Sequence, residues 1–421
     1  MNTLKLSFVS ILICCMAFSS QADTLTVMHY NLMYYDKEYD DCNSTTNNVD
    51  SKDEYLKVIL GYVNPDIFTV NEVNSAISSV ERIKTNTLNI NGVTKYKRAD
   101  FSGSFLSNMI YYNSEKVGLK SQTAIATSPR ETNAYKLYLK TQSLANNDTI
   151  FLTCFVTHLK AGSTDSDEAQ RTAAANTIMN YIVNNNIPGN ILLMGDMNLY
   201  SSDEGAFISY TTPVGNNQFK FYDPVNMVGD WNNNYDFRTV HSQSTHTTSD
   251  GCFSTGGMDD RFDFILSSSE IINGTNGLYL YSYNTVAQDG NRFNQSLISP
   301  ENSSVPSDVL SSLYNMSDHL PIQMKLVYSD NPSSTNSTIY TNKISYNNPI
   351  ANNTLKIRVI DSNTYIKSVN ICSIIGQKIY SRNLEGKNQT AEINTSNFNK
   401  GIMVVEVLLS NNYRKTFKVI K

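Results

Sequence analysis

Beyond its first 22 residues the sequence lacks any apolar run of bilayer length, so nothing there predicts a membrane-spanning helix. Tryptophan occurs once and histidine five times in 421 residues. No Cys-x-x-Cys pair exists, which leaves thiol-redox and structural-zinc chemistry without support. Charged residues make up only 17% of the chain and the net charge is -5. That balance excludes a general polyanion-binding surface, so any nucleic acid contact has to be local.

What is present starts with MNTLKLSFVSILICCMAFSSQA. Lys5 precedes an apolar core from Leu6 to Phe18, and Ser20-Gln21-Ala22 has the small residues of a cleavage site; the segment predicts a secretory signal, residues 1–22. Removing it leaves Cys42, Cys154, Cys252 and Cys372, for which three pairings exist. Cys154 sits in the apolar strand FLTCFVTHL and reads as a buried thiol. Cys42 and Cys252 lie in polar, loop-like surroundings and are the pair expected in an oxidising compartment.

From Asp23 to about Val327 short apolar strands alternate with helices. TLTVMHYN, DIFTVNE, SFLSNMIYYN, TIFLTCFVTHL, NILLMGDMN, RFDFILSS and DHLPIQMKLV read as strands bounded by Asn, Asp, Gly or Pro. Two helices are marked. One spans Ser51 to Val63, with a capping-box pattern at Ser51 and Glu54 and an apolar face of Tyr55, Leu56, Ile59, Leu60 and Val63; the other spans about Asp167 to Val183. SDNPSSTNSTIYTNK then reads as a linker, residues 329–343. From about Ile344 to Lys421 there are only short strands at regular spacing, which predicts a small all-β sandwich.

Several strands of the first domain end on residues able to do chemistry: Asn31, Glu72, His158, Asp196 with Asn198, and Asp318 with His319. Strand alternation predicts Asp196 and Asn198 on one face. Each has an ordinary alternative as a turn residue, a helix cap or an interior histidine, and the weight lies in their joint occurrence.

In order along Asp23 to Val327, HYNLM, VNEVN, THLKAG, GDMN, RFDFIL and SDH resemble the endonuclease/exonuclease/phosphatase superfamily of metal-dependent phosphoesterases. The resemblance implies an α/β fold, a four-layer αββα sandwich over residues 23–328, with these residues at one mouth. It further implies Mg²⁺ or Mn²⁺ on oxygen ligands from Glu72 and Asp318, with Asn31 completing the metal shell or orienting Glu72. Asp196 would activate the attacking water and Asn198 position it. His158 and His319 would flank the phosphate, with His319 paired to Asp263, although Asp259 and Asp260 stand close by in DDRFDFIL. Two departures stand out: Asn71 replaces the usual Gln before the Glu, and Asn74 stands where nucleases often carry a cation.

The basic cluster TKYKRAD, with Lys95 and Arg98, and Lys160 in THLKAG are the candidate phosphate contacts, a solvated strand being the alternative for the first. His241 and His246 are expected to be unconstrained surface histidines. Residues 344–421, through NPI at 348–350, VNICSIIGQKIYS, INTSNFNKGIMVVEV and YRKTFKVIK, resemble the C-terminal sorting domain of the type IX secretion system of Bacteroidetes, which implies that machinery as partner and a secreted or cell-surface location. Three functions compete: a secreted nuclease, expected to be monomeric; a phospholipid or inositol-phosphate phosphodiesterase or phosphatase; and a binding protein that keeps the fold without turnover.

Overall fold

The computed structural model describes residues 23–328 and 344–421, apart from 102, 104, 142–148, 217, 250, 347–349, 351–352, 360–364, 374–376, 385, 400 and 411–413. The expected signal segment and linker lie outside the described residues. The chain divides into two compact units, Met1–Asn336 and Ser337–Lys421.

The first unit opens with β1 (Asp23–Tyr35), α1 (Val49–Val63), β2 (Ile67–Asn74), α2 (Ile77–Ile83), β3 (Tyr96–Arg98) and β4 (Leu106–Asn113). It continues with β5 (Val117–Ile125), β6 (Thr132–Leu139), β7 (Phe151–His158), α3 (Asp165–Asn184), β8 (Asn190–Asp196) and α4 (Gly205–Thr211). It closes with β9 (Asp263–Ser267), α5 (Ser269–Asn273), β10 (Leu278–Thr285), α6 (Ser307–Met316) and β11 (Ile322–Tyr328). Two sheets result, a six-stranded one in the order β10-β11-β1-β2-β4-β3 and a five-stranded one in the order β5-β6-β7-β8-β9.

Strand parity explains how the sheets stack. Along β7, Leu152, Cys154 and Val156 join a core shared with Leu25 and Val27 of β1, Val70 of β2 and helix residues such as Leu56 and Leu313. The intervening Phe155 turns the other way, into a second core with Ala174 and Ile178 of α3 and Phe207 of α4. The apolar run ILLM of β8 is divided in the same manner, Leu192 and Met194 on one side and Ile191 and Leu193 on the other. A strand buried on both faces reads as a continuous apolar run, and the layers are helix, sheet, sheet, helix.

Helix starts depart from expectation by a few residues. Asn48, not Ser51, caps α1: its side chain accepts the Ser51 N–H at 2.9 Å. α3 begins at Asp165, where Thr164 and Asp167 form the capping box. Strands β5 and β10 are sheet edges, and only Val117, Gly118 and Ile125 of the first and Leu278 and Thr285 of the second are buried, so neither has the regular alternation that marks a strand.

In the second unit β12 (Ile344–Tyr346), β13 (Thr354–Val359), β14 (Ile366–Ser373), β15 (Lys378–Asn383), β16 (Thr390–Asn394), β17 (Ile402–Leu409) and β18 (Arg414–Ile420) form two antiparallel sheets, β12-β13-β16 and β15-β14-β17-β18. Alternate residues such as Leu355, Ile357, Val405 and Val407 make its own core.

Candidate active site

Two parallel strand pairs build the site. β1 and β2 run parallel at the centre of one sheet, and β7 and β8 at the centre of the other. Parallel neighbours end on the same edge, so Asn31 and Glu72 emerge together beneath His158 and Asp196. Register completes the row: His158 pairs with Asp196 across β7 and β8, and Asp196 pairs with Asp263 at the start of the antiparallel β9. β11 runs antiparallel to β1 with Ile322 opposite His29, which returns Asp318 and His319 to the Asn31 end.

The contacts are close. Asn31 Nδ2 donates to Asp196 Oδ2 at 2.9 Å and to Glu72 Oε1 at 3.1 Å, while its Oδ1 accepts the Met33 N–H at 2.9 Å. This arrangement orients Glu72, and the Tyr34 N–H binds the other carboxylate oxygen at 3.1 Å. His158 Nε2 lies 3.7 Å from Glu72 Oε1 and 3.6 Å from Asp196 Oδ2. Glu72, His158 and Asp196 each offer one ligand atom within 4.8 Å of the others, so they can hold a cation. Asp318 is not in that group; its Oδ2 accepts from Gln243 Nε2 and the Ser254 N–H, both at 3.2 Å.

His319 donates through Nδ1 to Asp263 Oδ2 at 2.7 Å, and Ser242 Oγ donates to the same oxygen at 2.7 Å. Burial alone would lower the His319 pKa, but Asp263, Asp196 and Asp318 raise it well above its ordinary value, so the ring is held as imidazolium. Burial, together with the Arg130 guanidinium, keeps His158 neutral. Burial also pushes Asp196 up to about 7, aided by the charges of Asp263 and Glu72 and opposed by His319. The two imidazoles, one charged and one neutral, therefore face a carboxylate poised near neutrality.

Backbone conformation aims two of these groups. Glu72 has φ 60°, at a register shift between Val70 and Val73. Regular alternation would send Asn71 and Glu72 to opposite faces; the left-handed residue lets both serve the site. Asn71 Oδ1 accepts the Asp196 N–H at 2.8 Å and its Nδ2 binds Asn108 Oδ1 at 2.6 Å, tying the sheets together. Asn198 corrects the parity argument: β8 ends at Asp196, and Asn198, at φ 49°, approaches by a turn in which its N–H binds Asp196 Oδ1 at 3.0 Å and its Nδ2 donates to Leu159 O at 3.4 Å.

Of the expected phosphate contacts, Lys95 and Arg98 are not gathered here. Arg98 is opposite Tyr111, which is opposite Phe68, so β3 flanks the start of β2 and Glu72 is at its far end. Arg98 Nε is bound to Glu81 at 2.8 Å, and Lys95 lies over the Tyr96 ring. Lys160 is held 2.9 Å from Asp167 Oδ1. The surface expectation for His241 and His246 is corrected: His241 lies buried between the carbonyls of Trp231 and Met258, and His246 is stacked between Phe253 and Tyr314. A disulfide joins Cys42 to Cys252.

Gln243 and Lys52 are additions. No local pattern marks Gln243, whose side-chain amide, reaching in from a loop, stands 2.7 Å from His319 Nε2, with the amide oxygen as the acceptor when the ring is charged. Lys52 carried a signal: it precedes Leu56, Ile59 and Val63 on the buried face of α1, and its Nζ donates to the carbonyls of Leu32, at 2.7 Å, and Met33, at 2.5 Å.

Residues 331–421 match the family described as "Secretion system C-terminal sorting domain". Over this stretch the chain is similar to a secretion sorting domain. The sorting domain accounts for the all-β unit, and no helix among the described residues is long and apolar enough to cross a membrane. No curated protein matches the chain. Among solved structures, the chain is similar to the human Nocturnin catalytic domain with bound sulfate anion, at 12% identity, over 73% of this chain and 98% of that one, TM-score 0.46. It is similar also to an endonuclease/exonuclease/phosphatase family protein from Bacteroides thetaiotaomicron, at 12% identity, over 73% and 99%, TM-score 0.44. A third is D. rerio TDP2 complexed with single strand DNA product, at 14% identity, over 72% and 98%, TM-score 0.45.

Proposed function

We propose that the first unit is a divalent-cation-dependent phosphodiester hydrolase that cleaves nucleic acid outside the cell. One observation carries this reading: His158, Asp196 and Asp263 stand in register at one sheet edge, facing Asn31, Glu72 and His319 from the other sheet. Hydrolysing a phosphodiester requires a base for water, positive charge near the phosphoryl oxygens and a held cation, and each has a candidate here.

Glu72, with Asp196 and His158 in the same group, would hold Mg²⁺ or Mn²⁺; carboxylate oxygens suit these hard ions and the neutral His158 ring tolerates one. Bound there, the ion would neutralise charge developing on phosphoryl oxygen. Asp196 takes the proton of the attacking water, and Asn198 fixes Asp196 Oδ1 through its N–H. As the water oxygen forms its bond to phosphorus the ester P–O bond breaks, and the leaving oxygen departs as the alcohol with a proton from the His319 imidazolium. His319, kept cationic by Asp263, stabilises the phosphoryl oxygens. Asp318 acts through Gln243 and His319 rather than on the substrate. The match to a sorting domain supports delivery to the cell surface or medium, and the substrate proposed there is extracellular nucleic acid.

The test incubates the mature protein with plasmid DNA, sphingomyelin vesicles and an inositol phosphate, each with Mg²⁺ and with chelator. Mg²⁺-dependent nicking is expected. Lipid or inositol-phosphate cleavage without nicking would move the substrate, and folded protein inert on all three would leave a binding protein.

A further inference from the structure

Beside the site lies an aromatic ledge that the chemistry above does not use. Tyr34, whose N–H binds Glu72, stacks its ring on Tyr39 with centroids 5.3 Å apart and planes 16° off parallel. Phe105 meets Tyr39 edge-on at 5.3 Å, and Lys37 Nζ sits 4.7 Å over the Phe105 ring. Tyr39 is 43% exposed and Phe105 49% exposed. Large rings left open on a polar loop ask for a planar occupant.

The ledge is built, not incidental. Tyr39 and Cys42 exchange backbone hydrogen bonds of 2.9 Å, and Cys42 is joined to Cys252. At the other end Asn74 Nδ2 donates to the Asp36 carbonyl and Ser79 Oγ donates to the Asp36 carboxylate at 2.5 Å. Asn74 thus anchors this loop in place of offering charge to a phosphate. A pre-formed ledge binds without the entropy cost of ordering a loop.

We infer that Tyr39 and Phe105 form a subsite that stacks one unpaired nucleobase of a strand whose phosphate lies between Glu72 and His319. This rests on the phosphodiester reading. A base offers the planar π face that continues the Tyr34–Tyr39 stack, and Lys37 offers a cation for its adjoining phosphate. Glu38, Asp40 and Asp41 follow at once in the sequence and repel an extended polyanion, so the subsite takes a single base and not a duplex tract.

The test uses full-length Asp196→Asn protein with Mg²⁺ and single-stranded hexadeoxynucleotides bearing 2-aminopurine at successive positions. Quenching at one position is expected, with its loss in Tyr39→Ala and Phe105→Ala on the same background. An abasic residue at that position should weaken binding roughly 10-fold, and Tyr39→Ala should then weaken it no further. Binding without quenching at any position overturns the subsite. So does Tyr39→Ala weakening normal and abasic strands equally, or Tyr39→Ala abolishing binding to sphingomyelin vesicles while leaving oligonucleotides unaffected. Melting temperatures of both variants, expected unchanged, check folding, and Tyr39→Leu, which keeps bulk without a π face, should behave as Tyr39→Ala. Quenching with no hydrolysis by the unmutated protein would sink the enzymatic reading alone; hydrolysis without quenching would sink the subsite alone.

Discussion

His319 and Asp263 form an ion pair of 2.7 Å in which the imidazole side chain is 4% exposed and the carboxylate not exposed at all. Neither could carry its charge alone at that depth, since an unpaired buried charge is among the costliest features a fold can contain. The pair therefore fixes where a positive charge sits at the mouth.

Asp263→Asn removes the partner while keeping an oxygen for Ser242. The His319 pKa should fall, and turnover should drop about 100-fold or more. Histidine NMR titration reads the first and kcat the second. An unchanged kcat with a shifted titration would exclude the imidazolium from the reaction.

Asp196→Asn should abolish turnover without lowering stability. Burial and the charges of Asp263 and Glu72 already oppose the Asp196 carboxylate, so neutralising it relieves the cation-free protein. The expected result is an equal or higher Tm with activity at background. Near-normal activity would remove Asp196 from the mechanism.

Glu72→Gln keeps the Tyr34 N–H contact but weakens the hold on a cation. Stabilisation by bound ligand follows its affinity, amounting to about 2.7 kcal/mol at one hundred times Kd. The native protein should therefore melt higher in Mg²⁺ than in chelator, and the variant should show little difference. Calorimetric titration with Mg²⁺ measures the same loss directly.

Lys52→Met leaves the Leu32 carbonyl without its buried donor, and that of Met33 with only Asn47. A cost of about 1–3 kcal/mol is expected by urea unfolding. Those carbonyls belong to the turn that aims the Tyr34 N–H at Glu72, with Met33 and Tyr34 both at positive φ. Mg²⁺ affinity should fall as well; destabilisation with unchanged affinity would separate Lys52 from the site.

Alkali should unfold the protein through its phenols. Burial pushes Tyr96 up to about 12, and Tyr30 and Tyr111 well above the ordinary value. Between pH 10 and 12 the unfolded chain releases phenolic protons that the folded chain keeps, so stability present below pH 10 is lost as pH rises through that window. Tm should be flat to about pH 9.5 and then fall, with the 295 nm absorbance rising in the same transition. Ionisation of all 26 tyrosines near pH 10 in a still folded protein would contradict this.

Much of the site was legible because its residues end strongly apolar strands: TLTVMHYN, DIFTVNE, FLTCFVTH and ILLMGD each announce both a strand and its terminal polar group. Asp263 was separable from Asp259 and Asp260 only by folding, since β9 register alone sets Asp263 opposite Asp196. Lys95 and Arg98 illustrate the opposite outcome. Their charge was visible, but Glu81, which engages Arg98, is 17 residues away in the sequence.

The sequence by itself determined the strands, the order of the polar groups along them and the presence of a separate β unit, because periodicity and turn chemistry are local properties. Tertiary structure decided which imidazole is charged: burial drives both rings toward the neutral form, Asp263, Asp196 and Asp318 overcome it at His319, and at His158 burial prevails with the Arg130 guanidinium reinforcing it. It also decided the reach of Glu72, through a left-handed residue in a bulge, and it assembled Tyr34, Tyr39 and Phe105 into one ledge from two segments of chain. Such features arise from contacts between residues far apart in sequence, and no local pattern encodes them.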